Sequence, residues 1–248
     1  MSRLVLQLLM IVLLSKIEVV IMTALKLHMN NNLYVRDPQD TELGRKILEV
    51  SIEMIDELGF EKFTFRKLAA RIESAEPSIY RYFENKHRLL VYLIAWYWNW
   101  LEYRIDFSTQ NITEPGEKLK IAIELLAQRK PKDPLFASID EAALYRIVIA
   151  ESDKTYLTKQ VDDDNKEGLF LGFKSLCKKI AGYVQLINPK YEFPHTLVST
   201  LMQMAHQQLF FSDHLPSLTE IGKTSENKYE MNKRFLTDMV FKTIDASE

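Results

Sequence analysis

Between Thr64 and Arg88 the sequence is TFRKLAARIESAEPSIYRYFENKHR, and one proline in it constrains the fold more than any other residue. Proline is tolerated in a helix only in the first turn, where its missing N–H leaves no hydrogen bond unmade. Pro77 therefore sets a helix start at Glu76 or Pro77, with the helix expected to run to Phe83. Upstream, Thr64 suits an N-cap, with Phe63 and Leu68 spaced as a hydrophobic staple. Two short helices joined by a tight turn are the layout of a helix-turn-helix, whose second helix enters the DNA major groove. Ile79 and Phe83, four apart, form the inner face of the second helix. Ser78, Arg81 and Tyr82 are expected to project away from it, with Tyr80 at the edge. Hydroxyls, a guanidinium and aromatic rings suit phosphate oxygens, base edges and thymine methyls.

Charge supports this placement. The whole chain of 248 residues has a formal charge of −2, which says little about partners. Lys62–Arg88 carries seven basic residues against three acidic ones, while Thr41–Glu61 carries two against six. A local basic face on a near-neutral protein fits a site-specific DNA binder better than a general nucleic-acid coat. Arg66 is assigned to a phosphate and Arg71 is left open. Asn85 can cap the next helix, placing Lys86 in its first turn as an anion site. Ahead of the motif, Thr41 or Asp40 caps a helix to Leu58, with Leu43, Ile47, Val50, Met54 and Leu58 as its buried stripe. Gly59 then serves as a left-handed C′ residue, with Phe60 folding back on Ile55.

The pattern T-x-R-x-L-A followed by S-I-Y-R-Y-F-x-N-K-x-x-L, over about Thr41–Val91, resembles the DNA-binding domain of the TetR family of transcriptional regulators. The resemblance implies DNA-contacting positions at Thr64, Arg66, Ser78, Tyr80, Tyr82 and Lys86, with Pro77 and Arg81 beside them. It also implies a homodimer packed through the last two long helices, an operator of two half-sites on double-stranded DNA, and a small-molecule effector. The chain departs from the family in the turn: Glu73 replaces the usual glycine and Ala75 the usual capping serine, which leaves Ser74 as the alternative cap.

The rest of the chain reads as helical, so the expected fold is all-α: a helix-turn-helix domain over 39–88, then a helical ligand-binding and dimerisation domain over 89–248. Helices are expected at Lys86–Phe107, Glu117–Arg129, Leu135–Ala150, Asn165–Leu186, Pro194–Ser212 and Glu226–Ile244. Breaks fall at Lys130–Pro134, Asn188–Pro189, Pro216 and Gly222–Ser225. Trp96, Trp98 and Trp100 point three ways on one helix. Trp96 and Trp100 join Tyr145, Arg146 and His206 as candidate pocket residues, because ligand cavities are rich in aromatic groups; Glu151 is a further polar candidate. The candidate dimer face is Leu197, Leu201, Met204 and Phe211 on one helix and Leu236, Met239 and Val240 on the next.

Residues 1–38 read as an extension and a linker, with Asn30–Asn32 through Pro38 as the linker. The apolar runs Leu4–Leu14 and Ile17–Leu27 are shorter than the roughly 18–20 residues that span a bilayer. A mis-assigned start (Met10, Met22 and Met29 all follow), an added amphipathic helix and an export or membrane signal stay open. Single Cys177 excludes an intrachain disulfide and fits a reducing compartment, so a cytoplasmic location is expected, with no membrane. No metal and no cofactor are expected. Asp162–Asp164 lack the glycine at the sixth position of a calcium loop, and His195, His206 and His214 lack zinc spacing. No catalytic triad, phosphate loop or CxxC is present. An all-α enzyme or cofactor binder, and a membrane-tethered regulator, are the alternatives.

Overall fold

The computed structural model describes residues 26–128, 136, 139–222 and 227–245. They form eleven α-helices and no strand, so the all-α expectation holds. α1 (Glu42–Leu58), α2 (Phe65–Arg71) and α3 (Glu76–Tyr80) make an amino-terminal unit. α4 (Lys86–Thr109) runs from it into a body of α5 (Pro115–Ala127), α6 (Glu141–Glu151), α7 (Asp153–Tyr156), α8 (Val161–Lys166), α9 (Leu171–Ile187), α10 (Pro194–His214) and α11 (Asn227–Asp245). The expected segment 1–25, the break at Lys130–Pro134, the helix start at Leu135 and the break at 223–226 lie outside the described residues.

Caps fall largely where the sequence puts them. The Thr41, Thr64 and Asn85 side chains accept from the backbone N–H groups of Gly44, Lys67 and Arg88, three residues on in each case. The buried face of α1 is rotated from the expected stripe. Ile47, Leu48, Ile52 and Ile55 are its centre and Leu58 is exposed, because α2 and α6 pack on it from two sides. The long helix expected over Asn165–Leu186 is two. Gly168, at φ 76°, breaks it between α8 and α9.

α4 is the axis of the molecule. Every residue from Leu89 to Trp98 is buried, because α5, α6 and α9 and the amino-terminal segment surround it. A helix apolar all round belongs at the centre of a core. That placement corrects the expectation for the three tryptophans: Trp96 and Trp100, one turn apart, lie on one side of α4, and Trp98 faces another wall of the core.

Residues 26–40 form a brace across both units, not a linker. Leu27, Met29 and Leu33 are buried. The Asn30 side-chain amide donates to the carbonyls of Glu167 and Gly168 at 3.0 and 2.8 Å, and that of Asn32 to Glu167 at 2.9 Å. The Val35 N–H donates to the Tyr82 carbonyl at 2.9 Å. The run of asparagines, read as loop composition, instead satisfies carbonyls of the α8–α9 turn. Pro38 lies so close to α1 that a side-chain carbon at Gly44 would come within 2.6 Å of its Cα, so this crossing requires glycine.

Candidate nucleic-acid interface and ligand cavity

The turn between α2 and α3 keeps the shape that its missing glycine would have given. Glu73 holds φ at 55°, in the left-handed region. The Ser74 N–H donates to the Ala69 carbonyl at 2.9 Å and the Glu73 N–H to that of Ala70 at 3.4 Å, the paired bonds of a Schellman ending. Ala75 occupies the N-cap of α3 and supplies no side-chain bond. The cap proposed for Ser74 does not form.

α3 ends at Tyr80, three residues earlier than expected. The chain turns there, with the Tyr82 N–H bonded to the Ile79 carbonyl at 2.8 Å. Tyr82 consequently swings inward. It is 3% exposed and its hydroxyl meets Thr41 Oγ1 at 2.8 Å, which corrects the expectation that it projects away. Pro77, Tyr80 and Arg81 are exposed and Ser78 half-exposed, on one outward surface with exposed Thr64 and Arg66. The Tyr80 ring packs edge-on against Phe65 at 5.1 Å, and Arg81 donates to Ser78 Oγ at 3.3 Å. Thr64 already uses its hydroxyl as the α2 cap.

The basic surplus of this segment is divided by the fold. Lys86 points inward: its ammonium donates to the carbonyls of Phe60 and Phe63 at 3.1 and 3.2 Å and lies 4.6 Å from the Phe60 ring centre. It is a tie for the α1–α2 turn, and the phosphate contact expected of it is not part of its observed bonding. Arg71 pairs with Glu57 at 3.3 Å and Arg88 with Glu167 at 2.6 Å. Lys62, Arg66 and Lys67 form no ion pair among the described residues, so with Arg81 they are the cations presented outward, Lys67 donating to the Lys62 carbonyl at 2.8 Å.

Two hollows lie behind this unit. A cavity of about 660 Å³ is walled by Trp98 of α4, Tyr156 of α7, Phe173 of α9 and His206, Phe210 and Phe211 of α10. A cleft of about 400 Å³ lies at the junction of α1, α6 and the end of α10, and Tyr145 and Arg146 line it. The five candidate pocket residues therefore separate. His206 serves the cavity, and Tyr145 and Arg146 the cleft. Trp96 and Trp100 line neither: they lie against each other at 6.5 Å, with Trp96 edge-on to Phe136 at 5.2 Å. The tryptophan that reaches the cavity is the one between them, because α4 turns Trp98 toward α9 and α10. His206 joins the two hollows, with Trp98 at 5.4 Å, the Tyr97 hydroxyl at 3.3 Å and the Tyr145 ring at 5.2 Å. Burial pushes the Tyr97 and Tyr145 hydroxyls well above the usual tyrosine range, so both stay neutral.

α6 stands between the cavity and the amino-terminal unit. Ile149 and Ala150 line the cavity wall. From the same helix, Arg146 forms a two-pronged pair with Asp56 of α1 at 2.9 and 2.6 Å. Glu151, 7% exposed, accepts the Phe60 N–H at 3.0 Å through one oxygen, and its other oxygen lies 2.6 Å from the Lys154 ammonium. Gly59 makes that bond reachable. At φ 76° and ψ 154° it sits in a region open essentially to glycine alone, not in the left-handed ending expected, and it turns the Phe60 N–H toward α6.

The candidate dimer face is only partly available. Leu197, Leu201, Leu236 and Val240 are buried within the chain, where α10 and α11 pack on each other and on α5 and α9. Half-buried Met204 and Met239 remain beside exposed Phe235, while Phe211 belongs to the cavity.

Residues 47–93 match the family model for bacterial regulatory proteins of the tetR family. No curated protein matches the chain. Similar solved structures include AibR in complex with isovaleryl coenzyme A and operator DNA, at 15% identity and a TM-score of 0.54, covering 79% of this chain and 98% of that one. A Saccharomonospora viridis protein in complex with choline is 16% identical with a TM-score of 0.56, over 81% and 97%. The fatty acid degradation regulator FadR from Bacillus halodurans is 15% identical with a TM-score of 0.54, over 77% and 93%. At these identities the likeness is one of fold.

Proposed function

We infer that the chain is a ligand-responsive repressor of the bacterial TetR family, whose family model residues 47–93 match, and that it binds operator DNA as a homodimer. Ser78, Tyr80, Arg81 and Pro77 of the recognition surface lie in the major groove, with Arg66 and Thr64 on flanking phosphates. Tyr82 and Lys86 act from behind, holding the unit's shape. The second copy docks on the outward faces of α10 and α11, around Phe235, Met204 and Met239. It places two recognition surfaces on half-sites about 34–36 Å apart, one DNA turn.

The observation that carries the reading is the position of α6. One side of it lines the cavity and the other holds the amino-terminal unit through Asp56 and the Phe60 N–H. A ligand filling the cavity acts on this helix directly. It shifts the protein off DNA only to the extent that it binds the non-DNA-binding arrangement more tightly. That solved structures of like fold are complexes with isovaleryl coenzyme A or choline supports a small-molecule effector.

A footprint of the purified protein on its own upstream DNA tests this. A protected pair of half-sites is expected; Arg81→Ala should weaken binding, and Arg66→Ala should lower the slope of log affinity against log salt by about one phosphate's worth. Unchanged affinity in both Arg81→Ala and Tyr80→Ala would remove α3 from the DNA.

A further inference from the structure

The cavity has a chemical character beyond being apolar. Six of its fifteen lining residues carry rings: Trp98, Tyr156, Phe173, His206, Phe210 and Phe211. No lysine or arginine is among the fifteen, and the one acidic side chain is Asp153. Three rings run in series toward it. Trp98 and Phe173 are 5.0 Å apart, and Phe173 and Tyr156 lie 6.4 Å apart with planes parallel within 5°. The Tyr156 hydroxyl then donates to Asp153 Oδ1 at 2.8 Å. Burial, with Asp153 beside it, pushes that hydroxyl up to about 12, so it remains a neutral donor. The second carboxylate oxygen of Asp153 takes no partner among the described residues.

We infer that this cavity selects an organic cation, a quaternary ammonium or lipophilic amine with apolar groups, held by Trp98, Phe173 and Tyr156 with Asp153 as counter-ion. The inference rests on reading the cavity as the effector site and adds the ligand's charge. Aromatic faces attract a desolvated cation through the ring quadrupole. An anion entering the same space meets those negative faces and Asp153, and no lysine or arginine among the lining residues receives it. Ser152, Gln203 and Gln207 are neutral and can orient a ligand without setting its charge. The volume of about 660 Å³ lies within the range of sites for drug-sized molecules.

Two probes of matched shape and opposite charge separate the possibilities. The neutral fluorophore N-phenyl-1-naphthylamine is first bound to the full chain, then displaced by tetraphenylphosphonium or by tetraphenylborate. The cation is expected to displace it at concentrations at least about ten-fold lower than the anion. Asp153→Asn should narrow that gap, and Phe173→Leu should weaken the cation by about three- to ten-fold while leaving the fluorophore bound. Equal displacement by both ions, or a gap unchanged by Asp153→Asn, overturns the inference and leaves the cavity reading standing. Failure of the fluorophore to bind overturns both.

Discussion

Glu73 is a residue in the wrong place by its own chemistry, and the turn holds it there. A left-handed conformation costs a non-glycine residue roughly 1–2 kcal/mol, yet both Schellman bonds around Glu73 are made. Glu73→Gly should raise stability by about 0.5–1 kcal/mol, the gain being trimmed by the extra freedom glycine has when unfolded. Urea unfolding monitored by circular dichroism reads this, with operator affinity unchanged. Ala75→Ser adds the cap that α3 lacks and should contribute about 1 kcal/mol; a loss of stability would mean that the serine cannot reach the Ser78 N–H region. At this scale much was legible. Thr41, Thr64 and Asn85 were readable as caps because an N-cap is a local event, settled within three residues. Tyr82 and Lys86 were not. Which way they face depends on α3 ending at Tyr80 and on the Phe60 and Phe63 carbonyls being close to the α4 start, and neither follows from spacing.

Among elements, α6 carries the connection between cavity and DNA. Its buried contact is the Glu151 carboxylate on the Phe60 N–H. Glu151→Ala leaves that N–H without its partner and should cost about 1–3 kcal/mol, and it should also blunt release of operator by a ligand. Titrating operator affinity against ligand in wild type and mutant checks the second effect. An unchanged response would place the coupling elsewhere. Arg146 and Asp56 contribute less, because the Arg146 side chain is 58% exposed; a double-mutant cycle is expected to give about 0.5–1 kcal/mol. The helices themselves were largely legible from periodicity and from their proline and glycine breaks. Their faces were less so. Leu197, Leu201, Leu236 and Val240 showed the apolar spacing of an interface, but the same spacing serves a chain's own core, and here it does. The cavity's best-placed ring, Trp98, was hidden for a similar reason. On a helix buried on every side, periodicity no longer says which neighbour a side chain meets.

For the whole molecule, the brace over residues 26–40 sets how firmly the DNA-binding unit sits on the body. Asn30 and Asn32 together make three bonds to the α8–α9 turn. Replacing both with alanine should lower stability by about 1–3 kcal/mol, and hydrogen exchange should rise first at Val35, which bonds the Tyr82 carbonyl. Faster exchange confined to α11 would contradict this. The brace also has a consequence in time. Asn30 leaves the ribosome 138 residues ahead of Gly168, its partner. At about 5–20 residues per second that is a wait on the order of 7–28 s. Throughout it Asn30 and Asn32, which flank Met29 and Leu33 in the brace, have no α8–α9 turn to bond. The segment is thus fastened long after it is made, and a chain halted before Gly168 displays an unfastened segment with its apolar Met29 and Leu33 to the cell's chaperones and proteases.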